Sequence, residues 1–117
     1  MYKPHKLGQT GEDLACYYLS NLGYEIIQRN FRYRKGEIDI IAKDKYEVVF
    51  IEVKTRSSGD YGEPAEAVTA RKKKHIFRTA QLFLKINNIE DAYTRFDVIE
   101  IYFYKNKYYI HHIKQII

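Results

Sequence analysis

The chain has 117 residues, a single cysteine and a net charge of +5, with a sequence pI near 9.2. A chain of this length buries roughly two thirds of its unfolded surface around one core, so a single domain over residues 1–117 is expected, and the lone Cys16 excludes an internal disulfide. With no apolar run near the ~20 residues needed to cross a bilayer and no leader pattern before the first helix, the expectation is a soluble protein of the reducing cytoplasm with no membrane partner.

From about His5 to Leu22, the residues Gly8, Gly11, Ala15, Leu19 and Leu22 recur at helical spacing, and Gly23 is placed to end that helix. Glu12 falls at the edge of the face formed by Ala15, Cys16 and Leu19, which makes it either a solvated flanking charge or an acid aimed at a sheet. Tyr24 to Arg32 reads as a first strand with Ile26, Ile27 and Phe31 as its apolar residues, and the basic run Arg32 to Lys35 leads to Gly36 as a turn residue.

Gly36 to Arg56 reads as two strands joined by a polar turn. With Lys45 and Tyr46 as its tip, Asp44 faces Glu47, and further out Asp39 faces Glu52. One face then carries Ile38, Ile40 and Ala42 against Val49, Ile51 and Val53, and packs on the core. The other face is divided: Ile41, Val48 and Phe50 lie near the turn, and Glu37, Asp39, Glu52 and Lys54 at the far end.

Ser57 to Pro64 is the most loop-like stretch. A second helix is expected from Thr69 as N-cap to Ile86, with Ile76, Phe77, Ala80, Phe83 and Leu84 inward and Lys73 extending that stripe toward the sheet. Thr94 to Phe103 and Lys107 to Ile113 complete the chain as two strands, with Asp97 an acid inside a β-forming run that can pair with Arg95. His111 and His112 are neighbours on a strand and so point to opposite faces, while His5 and His75 are expected to be exposed. The order of elements points to a mixed α/β sheet with helices packed on it.

Two carboxylates opposed on a sheet repel by roughly 0.2 to 1 kcal/mol, so Asp39 and Glu52 call for a positive partner. Lys54 can be that partner, leaving a salt-bridged polar end of the sheet, or a divalent ion can be, with Lys54 kept for a substrate anion. A hard ion such as Mg²⁺ takes one or two carboxylates and completes its shell with water and phosphate oxygens; the backbone carbonyl of Val53, and Glu12 from the first helix, are further candidate ligands. The basic residues Arg34, Lys35, Arg56, Arg71, Lys72, Lys73, Lys74 and Arg78 suit a polyanion, although a lysine-rich run at a helix start also serves as a solvated face.

Asp39 followed by Glu52-Val53-Lys54 on the next strand resembles the D…(D/E)-x-K signature of the restriction-endonuclease-like nuclease superfamily, with Ile38 where the superfamily signature has proline. More of the chain resembles the small bacterial YraN-type family, related to Holliday-junction resolvases. The matching pieces are Gly8 to Ala15, Gly23-Tyr24, Arg29-Asn30, Gly36 to Asp39, Val49 to Arg56 and Arg95 to Asp97. This resemblance implies a restriction-endonuclease-like αβββαβ core. It places Asp39, Glu52 and Lys54 in metal-binding and catalytic roles and matches Glu12 to the first-helix acid of resolvase-like members. It also implies a Mg²⁺- or Mn²⁺-dependent endonuclease acting on DNA, branched DNA included. Symmetric cutting of a junction needs two active sites, so a homodimer follows from the same analogy. The alternative is a nucleic-acid-binding module that keeps the fold without the chemistry.

Overall fold

The computed structural model describes residues 10–57 and 70–116, with helices α1 (Thr10–Asn21) and α2 (Ala70–Ile86) and strands β1 (Glu25–Tyr33), β2 (Gly36–Asp44), β3 (Glu47–Ser57), β4 (Tyr93–Tyr104) and β5 (Lys107–Ile113). Gly8, the expected loop from Ser58 to Pro64, the N-cap Thr69 and His5 lie outside the described residues. Ser57, expected in that loop, is instead the last residue of β3.

Each helix ends in a left-handed cap. Gly23 takes φ 94°, Tyr24 N–H donates to Leu19 O at 3.0 Å and Gly23 N–H to Ser20 O at 3.0 Å, the paired bonds of a Schellman motif. Asn88, at φ 55°, closes α2 in the same way, with Ile89 N–H on Leu84 O and Asn88 N–H on Lys85 O. Leu22 therefore falls beyond α1 and is exposed, not part of its buried stripe.

The five strands form one sheet in the order β1-β2-β3-β4-β5. All neighbours run antiparallel except β3 and β4, which are parallel and therefore need the long crossover that contains α2. The expected αβββαβ core is present, and β5 adds a final antiparallel strand. A bulge between Ile26 and Gln28 turns Ile27, one of the strand's apolar residues, out to solvent.

The β2–β3 hairpin keeps the expected register from Asp44↔Glu47 to Ile40↔Ile51. On one face, Leu14, Ala15 and Leu19 of α1 pack on Ile40, Ala42, Val49, Ile51, Ile99 and Ile101. On the other, Ile76, Ala80 and Phe83 of α2 pack on Ile41, Val48, Phe50 and Phe96. Ile38 departs from the expected face, because it joins the α2 cluster while Ile40 joins that of α1. The alternation breaks at Asp39, between them. Phe77, expected inward, is 43% exposed and reaches the core only by an edge contact with Phe96.

Gly36 serves a different purpose from the one its turn-like setting suggests. The left-handed residue of the β1–β2 turn is Arg34, at φ 55°, whereas Gly36 is buried in β2 directly beneath α2. A Cβ there would run into Thr79 Oγ1 and come within 2.7 Å of the His75 carbonyl oxygen. Only glycine lets the helix sit this close to the strand, and that approach brings the first turn of α2 over the polar end of the hairpin.

Candidate active site

The β2–β3 ladder stops one pair short of Asp39 and Glu52. Asp39 uses its side chain where the ladder ends: Oδ2 accepts the Val53 N–H at 2.8 Å. The N–H and C=O of one strand residue point to the same side, so the Val53 carbonyl faces this gap as well. Pairing between β3 and β4 continues through Ser57↔Phe103, so β3 stays anchored on its other side. Glu52 and Lys54 project from β3 on the face of α2, and Glu52 lines a cleft of about 410 Å³ together with Gly36, Asp39, Lys72 and His75, among others.

Burial pushes the Asp39 carboxyl up to about 6; the Val53 N–H opposes the shift, and the charges of Glu12, Glu37 and Glu52 add to it. Burial also lowers the Lys54 ammonium from its usual value, against the pull of the Glu52 carboxylate. Lys54 does pair with Glu52, as expected, but Lys72 is the nearer cation. Lys72 Nζ donates to Glu52 Oε2 at 2.7 Å, while Lys54 Nζ stands 4.0 Å from the same oxygen. Lys73, expected to reach the sheet, is exposed. The helix turns its neighbour inward, one position off the stripe continued from Ile76 and Phe77. His75, expected to be exposed, is half-buried in the cleft wall.

Glu12 of α1 meets β1, where its carboxylate is engaged by Arg29 Nε at 2.7 Å and Asn30 Nδ2 at 3.0 Å. Among the described residues, no three His, Cys, Asp or Glu side chains converge as a metal cluster. The oxygen donors at the gap are therefore two carboxylates and a backbone carbonyl. Glu52 Oε1 is buried without a hydrogen-bond partner, the state expected of an oxygen kept for a cation. Two carboxylates with room for water and phosphate match what Mg²⁺ or Mn²⁺ requires, so the donor set fits such an ion.

The fold gathers the basic residues from separate segments. Arg34 and Lys35 of the β1–β2 turn border a cleft with His75 and Arg78 of α2, and Lys35 borders another with Arg71 and Lys74. Arg56 lies apart, beyond Lys54 on β3. The strong ionic network elsewhere is structural in position. Arg95 is buried beside Tyr24 and donates to Asp97, Asp44, Glu47 and the Tyr24 hydroxyl. Asp97 also meets His112 Nε2 at 2.7 Å, on the α1 face, while His111 meets Glu100 on the α2 face. The two histidines diverge as expected. Glu100, fully buried opposite Lys54, had no distinguishing signal in the sequence: an acid in an alternating strand reads as a solvent-facing residue.

A family model described as "Uncharacterised protein family UPF0102" matches residues 11–101, a span that holds α1, the hairpin, the gap and α2. The chain belongs to UPF0102. It is 55% identical over 96 residues to a UPF0102 protein of Clostridium botulinum (strain Okra / Type B1), covering 81% of this chain and 78% of that one. It is 53% identical over 98 residues to UPF0102 proteins of Prosthecochloris aestuarii and of Chlorobium phaeobacteroides, covering 84% of this chain and 77% of each. The described residues of this UPF0102 chain include no helix long and apolar enough to cross a membrane.

Proposed function

We propose that this UPF0102 protein is a metal-dependent endonuclease that hydrolyses phosphodiester bonds in DNA, with branched DNA as the substrate the resolvase resemblance favours. The observation that carries the reading is the gap itself: a half-buried Asp39 whose carboxyl is pushed up to about 6 beside Glu52, whose Oε1 is buried and unpartnered, at the end of a ladder that stops short of both. Asp39, Glu52 and the Val53 carbonyl would hold Mg²⁺ or Mn²⁺. When bound, such an ion polarises the phosphodiester and lowers the pKa of water.

The chain's own residues supply the rest. Lys54, partly desolvated on the same face as Glu52, offsets negative charge growing on the phosphate oxygens. The rim formed by Lys35, Arg71 and Lys74 holds the flanking backbone of the substrate. Two such sites in a homodimer would cut a junction symmetrically.

A non-catalytic nucleic-acid-binding module is favoured by one observation, the 2.7 Å pair between Lys72 and Glu52, which neutralises the carboxylate without a metal. The test is a cleavage panel of linear, flap and four-way-junction DNA with Mg²⁺ and Mn²⁺. Cleavage by wild type is expected to be lost in Glu52→Gln and reduced at least a hundredfold in Lys54→Ala, on the order of one lost electrostatic contact to a transition state. Cleavage that survives both substitutions sinks the nuclease reading. DNA binding without cleavage by wild type selects the binding module.

A further inference from the structure

Among the described residues, the buried side-chain nitrogen and oxygen atoms without a hydrogen-bond partner are Glu52 Oε1, Arg56 Nε and Glu100 Oε2. All three belong to one strip on the α2 face of the sheet, since Glu52, Lys54 and Arg56 alternate along β3 and Glu100 lies beside Lys54 on β4. Buried polar groups are ordinarily paired, so a cluster of exceptions at one place calls for an explanation. The proposed metal site accounts for Glu52 alone.

Glu100 is 0% exposed. Its Oε1 accepts from His111 Nδ1 at 3.0 Å, and its Oε2 faces Arg56 Nη2 at 3.6 Å, an ion pair too long to be a hydrogen bond. Arg56 has no other ion-pair partner among the described residues and donates no hydrogen bond there, although its side chain is only 22% exposed. An arginine drawn into the surface by a buried counter-ion, with Nε unpartnered and no hydrogen bond to another described residue, is an arginine kept for an anion. The guanidinium fork matches two phosphate oxygens, and Lys54 on the same face adds a second positive charge.

We propose that Arg56 is a phosphate-binding fork beside the carboxylate pair, and that Glu100, backed by His111, is the positioning residue that aims it. Resting on the nucleic-acid reading above, this assigns the fork to a backbone phosphate next to the one at Asp39 and Glu52. Glu100 touches no substrate and acts through Arg56.

The sign of one effect separates positioning from plain charge. Removing a buried negative charge near a DNA site strengthens binding if only net charge counts; if Glu100 aims the fork, Glu100→Gln weakens it. The measurement is fluorescence anisotropy of labelled single-stranded and four-way-junction DNA, without metal, across a salt series, with urea unfolding run on each variant to establish that it is folded. Arg56→Ala is expected to lose roughly tenfold in affinity and to lower the salt slope by about one. Arg56→Lys, which keeps the charge, loses most of that affinity too. Glu100→Gln loses several-fold in the wild-type background and nothing further in Arg56→Ala. Equal or tighter binding by Glu100→Gln, or full affinity in Arg56→Lys, overturns the assignment while leaving the nuclease reading untouched. Coupling in binding with no cleavage by any metal upholds the fork and overturns hydrolysis. Absence of binding by wild type at low salt overturns both.

Discussion

Asp39 carries a conflict that its neighbours do not resolve. Its half-buried carboxylate gains one backbone hydrogen bond from Val53, but partial burial, and after it the charges of Glu12, Glu37 and Glu52, push its pKa to about 6 from an ordinary value near 3.8. The sign follows directly: an acid raised on folding contributes stability while protonated, and that contribution is lost as pH rises from about 4 through about 6. Asn in its place keeps the acceptor for Val53 N–H and removes the buried charge. Asp39→Asn, unfolded by urea in the presence of EDTA, is therefore expected to be more stable than wild type by about 1 to 2 kcal/mol at pH 7.5, with the difference closing toward pH 4. Mg²⁺ should then stabilise wild type and not the variant. A variant less stable at pH 7.5 would show that burial is not what raises Asp39. Those outcomes together would mark a site that trades stability for a ligand.

At the scale of elements, the site depends on how closely α2 approaches β2. The first two turns of that helix deliver Lys72 to Glu52 and His75 to the cleft, and Gly36 is what permits the distance. Gly36→Ala is expected to cost about 1 to 3 kcal/mol by overpacking, read as a lower urea midpoint, and to shift the Lys72–Glu52 pair. Adding Thr79→Ala removes the clash with Oγ1 but not the contact with the His75 carbonyl, so it should restore only part of the loss. Full restoration would mean that the backbone contact is immaterial. The same element shows where pattern reading falls short: α2 was expected to turn Lys73 to the sheet and turns Lys72 instead. One residue is 100° of helix, and a stripe extrapolated past its last apolar member leaves neighbouring positions undecided.

For the whole molecule, the relevant property is the separation of charge. Lys35 comes beside Arg71 and Lys74 from a distant part of the sequence, and Lys35 and Arg71 also line the cleft that holds Asp39 and Glu52. Exposed lysines and arginines at such a rim act mainly on a polyanion's backbone. Arg71→Ala with Lys74→Ala is expected to lower the salt slope of DNA binding by about two, weakening every DNA sequence alike, and to leave the unfolding free energy in urea within about 0.5 kcal/mol of wild type. An unchanged slope would remove this rim from the binding surface.

Much of this arrangement was legible in the residues alone. Apolar alternation broken by Lys45 and Tyr46 determined the hairpin and its register, and that register put Asp39 and Glu52 at one end of it. Gly23 marked the end of α1 because its left-handed cap suits a residue without Cβ. Arg95 and Asp97 were readable as a pair, two residues apart on one face. What only the tertiary structure decided depends on distances between segments. The ladder ends before Asp39 because its side chain takes the Val53 N–H, a choice that periodicity does not encode. Lys72 meets Glu52 because α2 crosses close over Gly36, and Glu100 is buried because β4 runs parallel to β3 and carries it beside Lys54. Local pattern specifies which face a residue joins; charge pairing across strands and helices depends on their packing, and that is where the arrangement of these charges was decided.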